Sequence, residues 1–324
     1  MTLELTLAIN RYDHVRDLVD GTVKVEGVAL RCLSFSVEEI FFRFSRFREW
    51  DVSEMSLAKY SSLRAAGDDS LTAIPVFPSR VFRHSAIFVR DGGPIARPED
   101  LVGGRIGVPE WTQTATVYAR GLLAHEYGVA LEGVEWFQGG VNEPGRVEGI
   151  AIALPPAISY TAVPDRSLND MLLAGDLDAL ISARPPAGFK HGIVRLIDGP
   201  AAEQEHFRRT GVFPIMHVIA LRRDVYDAHR WVAMNLFTAF EEAKRRSVER
   251  ILDPNASMVP LPQGHFAAAW AQGVFGGDLW PYGLEPNRPT LETFLTWATE
   301  QGVAARKLAP EDLFAPETLQ GFRV

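Results

Sequence analysis

The chain has 324 residues, 47% of them hydrophobic, and a formal net charge of -8. That length suits two lobes with separate cores rather than one small domain. No run of Lys or Arg dominates any segment, which argues against nucleic acid or an anionic membrane surface as the main partner.

The first segment, MTLELTLAIN, lacks the basic start, apolar stretch and small-residue cleavage site of a secretory leader. No later apolar run reaches membrane-span length, so a cytoplasmic protein is expected. ELTLAIN (4–10) alternates as a strand, and RYDHVRDLVDG (11–21) reads as a short helix closed by Gly21. VALRCLSF (28–35) is the next strand. It holds the only cysteine, Cys32, which excludes an internal disulfide and a cysteine-based zinc site. VEEIFFRFSRF (37–47) is an amphipathic helix, DVSEMSL (51–57) a third strand and AKYSSLRAAGDD a helix. LTAIPVF and VFRHSAIFVR then read as strands completing a βαβαβ unit, the pattern of an open, largely parallel sheet.

After Arg90 the pattern restarts: a strand at RIGVP, a long helix from TQTATVY, strands at VEWFQGG, DALISA and GIVRLID, and a returning strand around 215–222. The remainder is helical, in DAHRWVAMNLFTAFEEAKRRSVERIL and near 264–275 and 290–302. Two crossing segments, near 85–92 and 217–223, would join the lobes. Residues 1–90 with 221–324 form lobe I in this reading, and 91–220 form lobe II. The order βαβαβ, then LVGGRIGVP, then MLLAGDLDALI resembles the type II periplasmic-binding-protein fold, an α/β fold with a ligand cleft between two lobes.

In open α/β sheets ligands lie beyond the carboxyl ends of strands. That rule selects Asn10–His14, Glu54–Ser56, the stretch 80–84, Trp111–Thr114 at a helix start, and Arg184; His217 joins them on a crossing segment. Strand alternation would put Arg80, Phe82 and His84 on one face and Arg83 on the other. Arginine forks suit carboxylates, and Phe82 is placed to stack on an aromatic ring. Thr112 or Thr114 would cap the helix and leave main-chain N–H groups for an anion. The bland alternatives are structural ion pairs for Arg80, Arg83 and Glu54, simple capping for the threonines, and a satisfied core histidine for His217. No metal-ligand spacing, P-loop or dinucleotide fingerprint is present, so no metal and no cofactor is expected.

FPSRVFRHSAIFVR, DVSEMSLAKY, TQTATVYARGLLAHEYGV, FPIMHVIALRRDVY and WPYGLEPNRPTLETFLTWATEQG together resemble the 4,5-dihydroxyphthalate decarboxylase family, nearly end to end. The resemblance implies an enzyme on a binding-protein scaffold that removes CO2 from a dihydroxylated aromatic dicarboxylate, giving protocatechuate in phthalate-type catabolism. It implies a small aromatic carboxylate as partner and a reaction that needs neither metal nor organic cofactor. In that chemistry His84 is the expected proton donor, with Glu54 or His217 handling the phenol, and the roles are interchangeable. Arg11, Arg80, Arg83 and Arg184 are the carboxylate candidates, Thr112, Gln113 and Thr114 their hydrogen-bonding neighbours. Asp13 would orient one of these groups or bind a catechol hydroxyl. Tyr282 and Arg288 are further cleft candidates, although a C-terminal packing role is favoured for both. The alternative is a non-catalytic solute-binding protein for a small organic acid. A thiamine-pyrimidine-synthesis enzyme on this scaffold is weaker still, since it would want cysteines the chain lacks. EIFFRFSRF is a candidate subunit face, so a homo-oligomer is one assembly the sequence allows.

Overall fold

The structure, a computed structural model, describes residues 2–320 apart from 151, 198 and 257. Eleven strands are described among these residues: β1 Leu3–Ala8, β2 Val28–Leu33, β3 Val52–Ser56, β4 Leu71–Ile74, β5 Ile87–Arg90, β6 Arg105–Val108, β7 Glu135–Gln138, β8 Ser159–Ala162, β9 Ala179–Ile181, β10 Ile193–Arg195 and β11 His217–Arg222. The helices are α1 Arg16–Val19, α2 Val37–Phe47, α3 Leu57–Ala65, α4 Thr114–Tyr127, α5 Leu168–Ala174, α6 Pro200–Thr210, α7 Arg223–Ala228, α8 Trp231–Leu252, α9 Gly264–Val274 and α10 Arg288–Glu300.

The strands form two mixed sheets, ordered β2-β1-β3-β11-β4 and β10-β5-β9-β6-β7-β8. In the first, β1 runs parallel to β2 and β3, while β11 is antiparallel to both β3 and β4. In the second, β6, β7, β8 and β9 are parallel and β5 is antiparallel to β9. This is the expected α/β, two-lobed architecture. Sheet membership changes earlier than the expected boundaries at 90 and 221. β5 already belongs to the second sheet, and β11 from His217 onward already belongs to the first.

The stretch 75–86 departs from the strand reading. It forms an isolated bridge, Arg80 to Ile215, and scattered main-chain bonds such as Met216 N–H to the Ser79 carbonyl at 2.8 Å rather than a ladder, and residues 84–86 form a 3-10 turn. Pro75 and Pro78 each lack the N–H that a ladder needs, which is why the apolar run does not continue as a strand. The alternation that would place Arg80, Phe82 and His84 on one face therefore does not apply.

Two helices show how the core is shared. In α2, Ser36 caps the first turn by accepting from the Glu39 N–H at 3.3 Å, and Ile40 and Phe44 turn inward one helical turn apart. Phe42 and Phe47 stay exposed, their rings edge to face. Helix α4 is buried on every side from Thr114 to Leu123, and it packs against α10 and α3. At Gly121 the backbone meets the Trp297 ring so closely that an added Cβ would lie 2.1 Å from Cε3. Trp111 Nε1 donates to the Gln301 carbonyl at 2.8 Å, and Arg120 Nε donates to Gln301 Oε1 at 2.9 Å. The C-terminal helix thus fastens to α4, which follows a strand of the second sheet. Residues 313–315 return to the first, where Phe314 bridges Ala73.

Candidate active site

Register places three polar residues of the first sheet together. His217 lies opposite Ser56, and Ile219 lies opposite Glu54. With a side-chain period of two, Glu54, Ser56 and His217 share one face, with Glu54 and His217 on a cross-strand diagonal that long side chains span. Glu54 is fully buried, and a buried carboxylate must find donors. It has three: the Asn10 main-chain N–H to Oε2 at 2.9 Å, the Tyr12 hydroxyl to Oε1 at 2.5 Å, and His217 Nδ1 to Oε1 at 2.6 Å. An ionised carboxylate only accepts, so the Nδ1–H of His217 donates and Nε2 is left free of the ring's fixed proton. Among the described residues Nε2 has no hydrogen-bond partner. Phe41 packs edge-on against the ring, 4.8 Å between centroids. Burial and the adjacent Glu54 charge raise the Tyr12 hydroxyl well above the usual tyrosine range, so it stays protonated and donates.

The start of α4 adjoins this centre. Thr114 Oγ1 lies 2.9 Å from Ser56 Oγ and accepts from the Ala58 N–H at 3.1 Å, joining the end of β3 to the helix. The cap residue is Gln113, whose side-chain Oε1 is buried and unpartnered. The N–H groups just before the helix, at 111 and 112, are taken by a carboxylate. Glu148 Oε2 accepts from the Trp111 N–H at 2.5 Å, and the Thr112 hydroxyl donates to Glu148 Oε1. Thr112 is thereby consumed by an internal carboxylate rather than offered to a ligand. Two ion pairs also tie the sheets across this region: Lys59 to Glu110 at 2.9 Å, and Arg184 to Glu38 at 2.8 Å.

The arginines divide into two kinds. Arg11 is exposed at the exit of β1, and its guanidinium makes no ion pair or hydrogen bond among the described residues. Arg184 is exposed and paired with Glu38. Arg80 and Arg83 are buried, yet neither meets a carboxylate among the described residues. Arg80 donates to the carbonyls of Pro281 and Phe213 at 2.9 and 2.7 Å and lies over the Phe213 ring. Arg83 donates to the Ala183 carbonyl at 3.3 Å and approaches Met216 Sδ at 3.1 Å. Burial lowers both, to about 9 and about 10, which leaves them charged at neutral pH. Two fixed cations without anionic partners among the described residues give this region a positive potential.

Other candidate residues meet protein partners. Phe82 is stacked on Phe213, with centroids 5.0 Å apart, and touches Phe275, so its faces are taken by protein. Asp13 turns away to α8, where it accepts from the Ser247 hydroxyl at 2.6 Å and pairs with Arg16. His84 is buried beside His206 and Glu126, and it makes no hydrogen bond or ring contact to Glu54 or His217 among the described residues. Burial pushes it down to about 4, so the ring is neutral at pH 7 and lacks the acidic second proton of an imidazolium. Arg288 lies on the surface, paired with Glu285 and Glu311 at 2.6 Å each. Tyr282 is buried over Lys244 with an unpartnered hydroxyl, in keeping with packing. The residue missed in the sequence is Tyr12, which lies within the β1 exit already singled out but carries no spacing signal of its own.

No family model matches the chain. Solved structures similar to it include the periplasmic aliphatic sulphonate-binding protein SsuA from Escherichia coli, with a TM-score of 0.56, 14% identity and coverage of 98% of this chain and 99% of that one. The desulfurization enzyme DszB is similar with a TM-score of 0.54 and 17% identity, covering 98% and 97%. At these identities the likeness is one of fold. Sequence likeness goes further. The chain is 38% identical over 327 aligned residues to 4,5-dihydroxyphthalate decarboxylase of Comamonas testosteroni, covering 99% of both. It is 42% identical over 191 residues to the enzyme of that name from Pseudomonas putida, covering 59% of this chain and 74% of that one. A two-lobed binding-protein scaffold with a carboxylate–histidine–tyrosine centre on its first sheet, matched end to end by such a relative, belongs to the 4,5-dihydroxyphthalate decarboxylase family.

Proposed function

We propose that this chain is a carboxy-lyase that converts 4,5-dihydroxyphthalate to protocatechuate and CO2. The observation that carries the reading is the likeness to the Comamonas testosteroni enzyme over 99% of both chains. The site supplies chemistry that suits it. The substrate is a dianion, and Arg11 with the unpaired charges of Arg80 and Arg83 favours its entry. His217, oriented by Glu54, takes a second proton from solvent at Nε2 and delivers it to the ring carbon that bears the departing carboxylate. The hydroxyl para to that carbon supplies electron density and transiently releases its proton to water. The carbon–carbon bond then breaks, its electron pair returns to the ring, the phenol is restored and CO2 leaves. One proton is consumed per turnover and His217 recovers it from solvent. This route needs neither metal nor organic cofactor. Tyr12 is the positioning partner that holds Glu54 in place, and the buried, unpartnered Gln113 Oε1 is assigned as the acceptor for a catechol hydroxyl.

The test is incubation of the protein with 4,5-dihydroxyphthalate, with chromatographic detection of protocatechuate and capture of CO2. Turnover by the wild type, lost in His217→Asn with binding retained, supports the assignment. Binding without turnover would establish a solute-binding protein in its place.

A further inference from the structure

A second cluster of titratable groups lies outside the centre just described. His84 stands in the 3-10 turn before β5, Glu126 in the last turn of α4 and His206 in α6. Each offers one ligand atom, and the three atoms lie within 4.8 Å of one another. His84 and His206 are 2% and 3% exposed. Their rings meet edge to face, 5.1 Å between centroids. His206 Nδ1 is bonded to Glu126 Oε1, and Arg209 reaches the same oxygen at 2.9 Å. Glu126 Oε2 accepts no hydrogen bond among the described residues. An independent feature points to a ligand: His84 Nδ1 is buried and has no hydrogen-bond partner. A buried ring nitrogen left in this state costs free energy unless something binds it.

We infer that His84, Glu126 and His206 form a site for a divalent first-row transition metal ion, with zinc the first ion to test. Two imidazoles and one carboxylate are the donor set such ions take, with a further position open to water. Bonds of about 2.0–2.2 Å would draw the ligand atoms to roughly 3.3 Å apart, a closure within the reach of side-chain rotation. Arg209 is half-exposed and free to swing away from the carboxylate. The ion would clip together three stretches: the segment that crosses between sheets, α4 and α6. Its role is structural. None of the three residues touches Glu54, Tyr12 or His217 among the described hydrogen bonds and ring contacts, and the inference does not depend on the decarboxylase reading.

The experiment uses the full chain, purified without chelator and free of any histidine tag, with metal content read by mass spectrometry. Cobalt(II) is then titrated into chelator-stripped protein, and thermal unfolding is measured with and without zinc. The expected results are close to one equivalent of bound metal, cobalt absorption bands typical of low coordination, and a higher unfolding temperature with zinc, as for any ligand that binds only the folded state. Affinity should fall at least about 10–100-fold in His206→Ala and in Glu126→Gln, the range already reached when a mere outer partner is lost. Wild-type protein that gains no thermal stability and shows no cobalt bands would overturn the inference. So would metal binding undiminished in a folded His84→Ala/His206→Ala double variant.

Discussion

Replacing Glu54 by Gln is the sharpest perturbation of the centre, because it removes charge while keeping volume. Glu54 Oε1 accepts from Tyr12 and His217, and Oε2 accepts from the Asn10 N–H. An amide has one oxygen, so it can serve only one of those two sides. Its NH2 group must then face either the Asn10 donor or the His217 Nδ1–H. At least one charge-assisted bond is lost, about 1.5–3 kcal/mol of native-state stability. The effect on turnover should be larger, since the imidazolium that delivers the proton loses the carboxylate that orients and stabilises it. Positioned acid–base groups contribute about 10²–10⁴ in rate, and kcat should fall into that range while KM changes little. Initial rates of protocatechuate release at saturating substrate, with circular dichroism to verify folding, measure it. A folded E54Q variant with kcat within about threefold of wild type would refute the acid–base role of this centre.

Further outcomes follow from other parts of the molecule. Arg11→Gln removes an exposed cation with no partner among the described residues, so KM should rise about 10–100-fold, the worth of a charge-assisted contact, with folding unaffected; an unchanged KM removes Arg11 from substrate binding. Burial pushes His14 from 6.5 down to about 4. Between those values the unfolded chain binds the extra proton, so the stability from keeping His14 neutral is complete above 6.5 and is lost as pH falls toward 4. That amounts to on the order of 3 kcal/mol, and a urea midpoint that is flat across this window, or is unaltered in slope by His14→Gln, would contradict it. Gly121→Ala forces a methyl into the Trp297 ring and should cost at least about 1–3 kcal/mol by overpacking, read as a lowered unfolding temperature; an unchanged temperature would mean the α4–α10 contact relaxes freely.

Much of the architecture was legible because its elements carry strong periodic signals. The α2 stripe through Ile40 and Phe44, the β3 segment and the α8 run all fall close to where the pattern puts them. The segment 75–86 was not, because its apolar residues suggest a strand while two prolines deny it the ladder. Of the site, Glu54 and His217 were recoverable from polar residues breaking apolar strands, and the sheet register explains why they meet. Tyr12 was hidden because a tyrosine after a strand is unremarkable until a carboxylate is placed beside it. Glu148 was hidden because its capture of the 111–112 amides is a loop contact that no local rule anticipates. The His84–Glu126–His206 cluster joins residues too far apart in sequence for any spacing motif to report.

The central claim is that this fold here performs carbon–carbon cleavage with proton delivery to a ring carbon, and a single proton NMR experiment addresses it. With the protein and 4,5-dihydroxyphthalate in D2O, the account predicts loss of substrate signal and growth of protocatechuate carrying one deuterium at the carbon that lost CO2. Substrate resonances that broaden or shift on binding, and persist with no product after prolonged incubation, would contradict it.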